Sequence, residues 1–224
     1  MEEYHKIQTV FKRDQKSRKI VEGDYSVPEF EYLQNNLWRC TEKIDGTNIR
    51  IMWDGEKVVF GGRTDRANIY APLIERLQEL FPVENMVEVF PMEDVKFDVC
   101  LYGEGYGARI QKGGGNYISD GVDFILFDVK VGPWWLKYDD VCDVATKLNI
   151  MAVPCVGTYT LLRAVKIVKD GLVSHWATPT NQFCAEGVVM KPIVDLFARS
   201  GSRIVAKIKT RDFVCGVETI KKET

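Results

Sequence analysis

Long apolar runs are missing from this 224-residue chain, and no stretch approaches the roughly 18 residues that a membrane-spanning helix needs. The opening MEEYHKIQTVFKRD has no apolar segment of the kind a secretory leader carries. Both absences argue against the membrane and for the cytoplasm. Histidine is scarce as well. His5 and His175 are the only two, which excludes a three-histidine zinc site and leaves a histidine-based triad without a motif. The six cysteines, at 40, 100, 142, 155, 184 and 215, contain no C-x-x-C pair and mostly sit in apolar runs. Reduced thiols are therefore expected, and zinc or a disulfide framework is disfavoured. Gly113-Gly114-Gly115 is not followed by G-K-[ST], so it reads as a loop rather than a phosphate cradle. Internal repeats and low-complexity segments are also absent.

Excess positive charge is lacking too, since the formal net charge is −2. The balance is uneven, however. Residues 12–19 (KRDQKSRK) carry five basic side chains, and Arg199, Arg203, Lys207, Lys209, Arg211, Lys221 and Lys222 follow near the other end. Local fields rather than net charge steer a polyanion, so either segment could serve one; a solvated face is the plainer reading of 12–19. Otherwise the composition, 46% hydrophobic and 28% charged, is ordinary for a globular protein with a substantial core.

Alternating residues at 47–53 and 57–62 flank Asp54-Gly55, a hairpin signal. Helical spacing appears at 70–80, 139–149 and 160–171, the last ending at Gly171. Strands are expected at 38–43, 97–103, 122–130, 187–191 and 203–209. Strands interspersed with peripheral helices imply an α+β fold. The weakest point of the chain lies near Gly132-Pro133, yet the polar blocks on both sides must converge, so 1–224 is read as a single domain.

Those blocks carry the chemistry. KIDGTN (43–48) puts the primary amine of Lys43 two residues before a carboxylate and three before a glycine that permits close backbone approach. Lysine serves as a nucleophile where its surroundings favour the neutral amine. Alone the element is a short pattern that a surface lysine beside an Asp-Gly turn would also produce. Further blocks follow in order: FGGRTDR (60–66) with Arg63 and Arg66, LYGEGYG (101–107) with Glu104, GARIQK (107–112), DFILFDV (123–129) with Phe127, AEGVVMKP (185–192) with Glu186, and RIVAKIKT (203–210). Lys207 and Lys209, two apart on an apolar strand, point to one side, and such a pair repels itself unless it faces an anion. Taken singly, Phe127 could be core, Glu104 a turn residue and Glu186 a strand-edge carboxylate.

In this order the blocks resemble the covalent nucleotidyltransferases, the superfamily of ligases and capping enzymes. Within it they are most similar to ATP-dependent RNA ligases of the phage RNA ligase 2 type. The resemblance spans residues 42–209 and implies an adenylyltransferase fold of two antiparallel sheets flanking a nucleotide cleft. It implies Lys43 as the nucleophile for the α-phosphorus of ATP, with Lys207 and Lys209 on the phosphate oxygens. Glu104 would hold the ribose, Asn48 would lie near the ribose-phosphate, and Phe127 would stack on adenine. Arg63 would sit between the ribose and the incoming strand. Magnesium or manganese would be held by Glu186, largely through water.

Asn48 stands where capping enzymes and many DNA ligases have arginine, and Glu42 can accept from adenine's amine, which disfavours GTP. The implied reaction joins 5′-phosphate and 3′-hydroxyl RNA ends, in a nicked duplex or single strand, through lysyl-AMP and adenylylated RNA. A minimal DNA ligase, acting on DNA or hybrid duplexes, and a non-catalytic nucleotide- or RNA-binding remnant are the alternatives. Only fifteen residues follow Lys209, where DNA ligases and capping enzymes carry an OB domain and the RNA ligase 2 type a helical one. The RNA grip is therefore expected from the basic N-terminal segment or an accessory partner.

Overall fold

A computed structural model describes residues 3–91 and 97–213. The chain divides into two compact units. One comprises Asp45–Val153 together with Tyr4; the other takes in His5–Ile44 and the chain from Pro154 on. The chain thus changes unit at Ile44/Asp45 and Val153/Pro154, while Gly132-Pro133 is only the turn between Val122–Val131 and Trp134–Trp135.

The first unit is built on one sheet. Its strands run in the order Met151–Ala152, Val122–Val131, Val99–Gly107, Thr47–Trp53 and Val58–Gly61, with Trp134–Trp135 paired to Val122–Val131. All neighbours are antiparallel except Met151–Ala152, which joins parallel. The Asp54-Gly55 hairpin forms as expected, with Gly55 at φ 96°. Ile49, Ile51 and Trp53 alternate onto the buried face with Val99, Leu101, Phe124 and Leu126. Helices Ala71–Leu80, Val83–Val89 and Tyr138–Lys147 contribute Leu73, Leu77, Met86, Val141 and Val144 to the same core.

The second unit holds the other main sheet, in the order Gln8–Thr9, Ala206–Lys209, Gly187–Pro192, Trp38–Glu42 and Cys155–Tyr159. Here Trp38, Cys40, Val188, Met190, Ala206 and Ile208 form the apolar face, joined by Leu161, Ala164, Val165 and Val168 of helix Leu161–Lys169. Thr160 caps that helix through its hydroxyl, and Gly171 lies just beyond its end at φ 100°. A separate two-stranded hairpin pairs Phe11–Arg13 with Ile20–Tyr25. No described helix is long and apolar enough to cross a membrane.

Cys40, Cys100, Cys142 and Cys155 are free thiols, but Cys184 is disulfide-bonded, which departs from the expectation of reduced cysteines throughout. Burial, with the nearby Cys155, pushes the Cys40 thiol up to about 12.

Candidate active site

In the second unit, strand alternation sorts the candidate residues. With Ala206 and Ile208 fully buried on the core side, Lys207 and Lys209 emerge together on the other face. Register then aligns them with the neighbouring strands: Lys207 lies opposite Val189, which lies opposite Thr41, and Lys209 lies opposite Gly187. Gly187 adopts φ 151°, and a Cβ there would collide with Ile208 O and lie 2.8 Å from Lys209 Cα. The glycine is what lets Glu186 and Lys209 stand side by side.

Glu186 is the hub. Its Oε2 accepts from Lys43 Nζ at 2.5 Å and its Oε1 accepts from Lys209 Nζ. Side-chain exposures of 13%, 19% and 17% for Glu186, Lys43 and Lys209 put all three in a sheltered environment. Burial pushes the Glu186 carboxyl up, but the Lys43 charge and hydrogen bonds from Lys209 and Lys43 outweigh it and hold the group below its ordinary range. Backbone bonds fix the frame, with Lys43 N donating to Gly187 O and Thr210 N to Glu186 O. The expected group of Lys43, Glu186 and Lys209 is therefore assembled, and Lys207 shares the face of Lys209.

Glu42 points the other way from Lys43 and is 3% exposed. Its Oε1 accepts from Ser174 Oγ at 2.6 Å and its Oε2 from the His175 amide at 2.8 Å. Burial raises its carboxyl above the ordinary range, and the bonds from Ser174 and His175 only partly offset this. Each carboxylate oxygen retains a second acceptor position. Ser174 and His175 escaped the sequence reading because their role depends on a contact more than 130 residues away in the chain.

The first unit holds the remaining candidates on the sheet face opposite its core. Asn48 lies directly across from Glu104, and both are half-buried. The Asn48 amide oxygen is buried with no hydrogen-bond partner among the described residues. Phe127 occupies a β-bulge: Tyr102 pairs with Asp128 and Gly103 with Leu126, leaving Phe127 unopposed and half-buried. Bulges commonly re-aim a side chain beside a site. Tyr4 packs edge-on against Phe127 at 5.1 Å and donates its hydroxyl to Asp128 at 2.7 Å.

Arg63 is exposed on the loop after Val58–Gly61. That loop is held by Arg50, fully buried, whose Nε donates to Gly62 O at 2.7 Å and whose guanidinium reaches Asp65 at 2.8 Å. Arg50 was not singled out from sequence, although a charged residue within an alternating apolar strand is the signal that could have found it.

The glycine of KIDG has a structural reason. A Cβ on Gly46 would collide with Gly105 O and stand 2.8 Å from Glu104 Cγ, so the residue is small because it lies against the Glu104 strand. The stretch after that strand clamps the same backbone. Gln111 Nε2 donates to Gly46 O at 3.1 Å, and the Asp45 amide donates to Tyr117 Oη at 3.2 Å.

No described cluster of three or more His, Cys, Asp or Glu could chelate a metal by itself. A divalent ion at Glu186 would draw its other ligands from water and from substrate phosphate, which suits magnesium or manganese rather than zinc.

Comparison with known proteins gives a family and a fold. The RNA ligase family matches residues 36–209. No curated protein matches. Among solved structures, a mutant Naegleria gruberi RNA ligase with ATP and Mn superimposes with TM-score 0.60 at 18% identity, covering 88% of this chain and 54% of that one. The same ligase with PPi gives TM-score 0.59 at 19% identity over 88% and 55% of the two chains. Another mutant with AMP and Mn gives 0.59 at 17% over 87% and 54%. The chain spans about half the length of these structures.

Proposed function

Because the chain belongs to the RNA ligase family, we propose that it is an ATP-dependent RNA ligase that joins 5′-phosphate and 3′-hydroxyl ends through an AMP carried on Lys43. The observation that carries this reading is the Glu186 carboxylate shared by the side-chain nitrogens of Lys43 and Lys209. A lone lysine in a sheltered site would be a liability. Two lysines around one carboxylate, with Lys207 on the same strand face as Lys209, make sense as a receptor for a polyphosphate.

In the reaction, the Lys43 amine attacks the α-phosphorus, an N–P bond forms, and the bond to pyrophosphate breaks. Lys43 must first leave its ion pair with Glu186 and lose a proton, because only the free amine carries the electron pair. Lys207 and Lys209 would neutralise the charge that builds on the α-phosphate oxygens. Glu186 would hold a divalent ion, which when bound neutralises phosphate charge. An oxygen of the RNA 5′-phosphate would next displace Lys43 from the AMP phosphorus, and the 3′-hydroxyl would then displace AMP.

Glu104 and Asn48 are proposed for the ribose and ribose-phosphate, Phe127 for the adenine face and Glu42 for its amine. Arg63 would meet the incoming strand. The two units would then act as one adenylyltransferase domain on one nucleotide. Chain connectivity supports this whatever the arrangement of the units. Asn48 is five residues from Lys43, a span of at most about 18 Å, and Glu104 lies directly across from Asn48. The Naegleria ligase is solved with ATP, with AMP and with PPi, which correspond to the substrate, the transferred group and the leaving group of this first step.

The test is direct. After incubation with ATP and magnesium or manganese, mass spectrometry should find an AMP adduct on Lys43, and Lys43→Ala should lose it. Nicked RNA, DNA and hybrid duplexes presented to the adenylylated protein then report the substrate. An adduct on a different lysine, or none with either metal, would overturn the proposal.

A further inference from the structure

The basic segment at 12–19 is not the uniform strip of charge its sequence suggests. Lys12 pairs with Asp24 at 2.6 Å, and Arg13 pairs with Asp212, whose side chain is only 2% exposed. Both cations are paired, Lys12 in an exposed pair and Arg13 in a sheltered one. Lys16, Arg18 and Lys19 lie exposed on the turn between Phe11–Arg13 and Ile20–Tyr25, and no described carboxylate pairs with them.

That turn has a fixed shape. Asp14 Oδ1 accepts from the Ser17 amide at 2.6 Å, the Ser17 hydroxyl at 2.8 Å and the Lys16 amide at 3.2 Å. Backbone bonds close it, from Asp14 N to Lys19 O and from Arg18 N to Asp14 O. The one acidic side chain of the turn is thus consumed in holding it. Arg18 sits at φ 60°, where glycine or asparagine would be unstrained, so a long cation is carried at a position whose backbone disfavours it.

The hairpin also has a defined place relative to the catalytic lysines. Gln8–Thr9 runs parallel to Ala206–Lys209, with Thr9 opposite Lys207 and Val10 N donating to Lys207 O. Arg13 then clasps Asp212, three residues past Lys209. Both chains therefore leave the sheet in the same direction. Lys16 is three residues beyond Arg13, so the tip follows directly on the residue that clasps Asp212.

We infer that the Lys16–Arg18–Lys19 hairpin tip grips the phosphate backbone of the RNA whose end is being sealed. This rests on the ligase reading above. Three exposed cations on one hydrogen-bonded turn can meet phosphates without reading bases, which is what a sealing enzyme needs at the flank of a break. Lys12 and Arg13, by contrast, are already engaged by carboxylates, and Arg13 ties the hairpin to Asp212.

The experiment is a salt titration of binding to a nicked RNA duplex, with the full chain and with a variant carrying Lys16→Gln, Arg18→Asn and Lys19→Gln. Asparagine tolerates the backbone at 18, so the turn survives. Each phosphate contact contributes about 0.9 to the slope of log K against log salt, so losing three should flatten it by about 2.7. Raising salt from about 50 to 200 mM would then cost the variant roughly forty-fold less affinity than the parent. A charge-matched control with Lys57→Gln, Lys147→Gln and Lys166→Gln should keep the parental slope. Equal slopes for parent and tip variant, or equal flattening in the control, would overturn the assignment. So would loss of binding to phosphatidylserine vesicles in the tip variant with RNA binding intact, which would assign the tip to a membrane surface. Lysyl-AMP formation by the unaltered protein, scored separately, reports on the ligase reading itself.

Discussion

Glu186→Gln removes one charge while keeping the side chain's shape, and the structure predicts how much that costs. The carboxylate is 13% exposed and is contacted by Lys43 Nζ at 2.5 Å and by Lys209 Nζ. With the charge gone, two ammonium groups share one sheltered site. Unit charges about 5 Å apart at an effective permittivity near 20 repel by about 3 kcal/mol. Breaking a buried pair by removing one member costs a similar ~3–5 kcal/mol. Both lysines keep some solvent contact, so the lower end applies. Urea unfolding at neutral pH should therefore show Glu186→Gln destabilised by about 3 kcal/mol, and adding Lys43→Met should recover about 2 kcal/mol of it.

The pH dependence follows from the depressed carboxyl. A carboxylate held below its ordinary range contributes stability that is present above that range and is lost as pH falls through the depressed value. The gap between parent and Glu186→Gln should be full at neutral pH and close in acid. A coupling below about 0.5 kcal/mol between positions 43 and 186, or a gap unchanged between neutral pH and acid, would refute the ion-pair argument.

Two further outcomes bear on the other unit and on the buried carboxylate beside Lys43. Gly46→Ala forces a Cβ against Gly105 O and Glu104 Cγ, so it should destabilise the protein by about 1–3 kcal/mol and raise the KM for ATP in self-adenylylation. Steady-state labelling at graded ATP checks this, and an unchanged KM would separate Glu104 from nucleotide binding. Glu42→Gln should narrow the preference for ATP over GTP in labelling. Because burial raises the Glu42 carboxyl, its contribution is greatest in acid and is lost as pH rises, so the glutamine variant should gain stability relative to the parent between acid and neutral pH.

Much of the fold is legible in the sequence because it depends on local pattern. Alternation at 47–53 and 57–62 around Asp54-Gly55, and helical spacing at 70–80 and 160–171, each appear close to their expected bounds. The strands missed from sequence, Trp134–Trp135, Met151–Ala152, Cys155–Tyr159 and those before residue 26, are short or half-exposed, so they show no clean apolar alternation. The blocks proposed to carry the chemistry are legible for a different reason: a lysine shortly before Asp-Gly and paired lysines at spacing two are short linear patterns.

What only the tertiary structure decided are relations between residues far apart in the chain. The type and order of Lys43, Glu186 and Lys209 can be read in one dimension, but not that a single carboxylate is shared by the two amines. Gly46 reads as a ligand-contact glycine in sequence, whereas its neighbours in space are Glu104 and Gly105. Phe127 reads as one more apolar strand residue, and the bulge that leaves it unopposed comes from pairing with a strand more than twenty residues away. The charges at 12–19 look alike as letters, yet Asp24 and Asp212 neutralise two of them and leave three exposed ones with no described carboxylate partner. The physical reason is the same in each case. Periodicity records which side of its own element a residue takes, while pairing, burial and charge neutralisation are properties of contacts that exist only once distant segments meet.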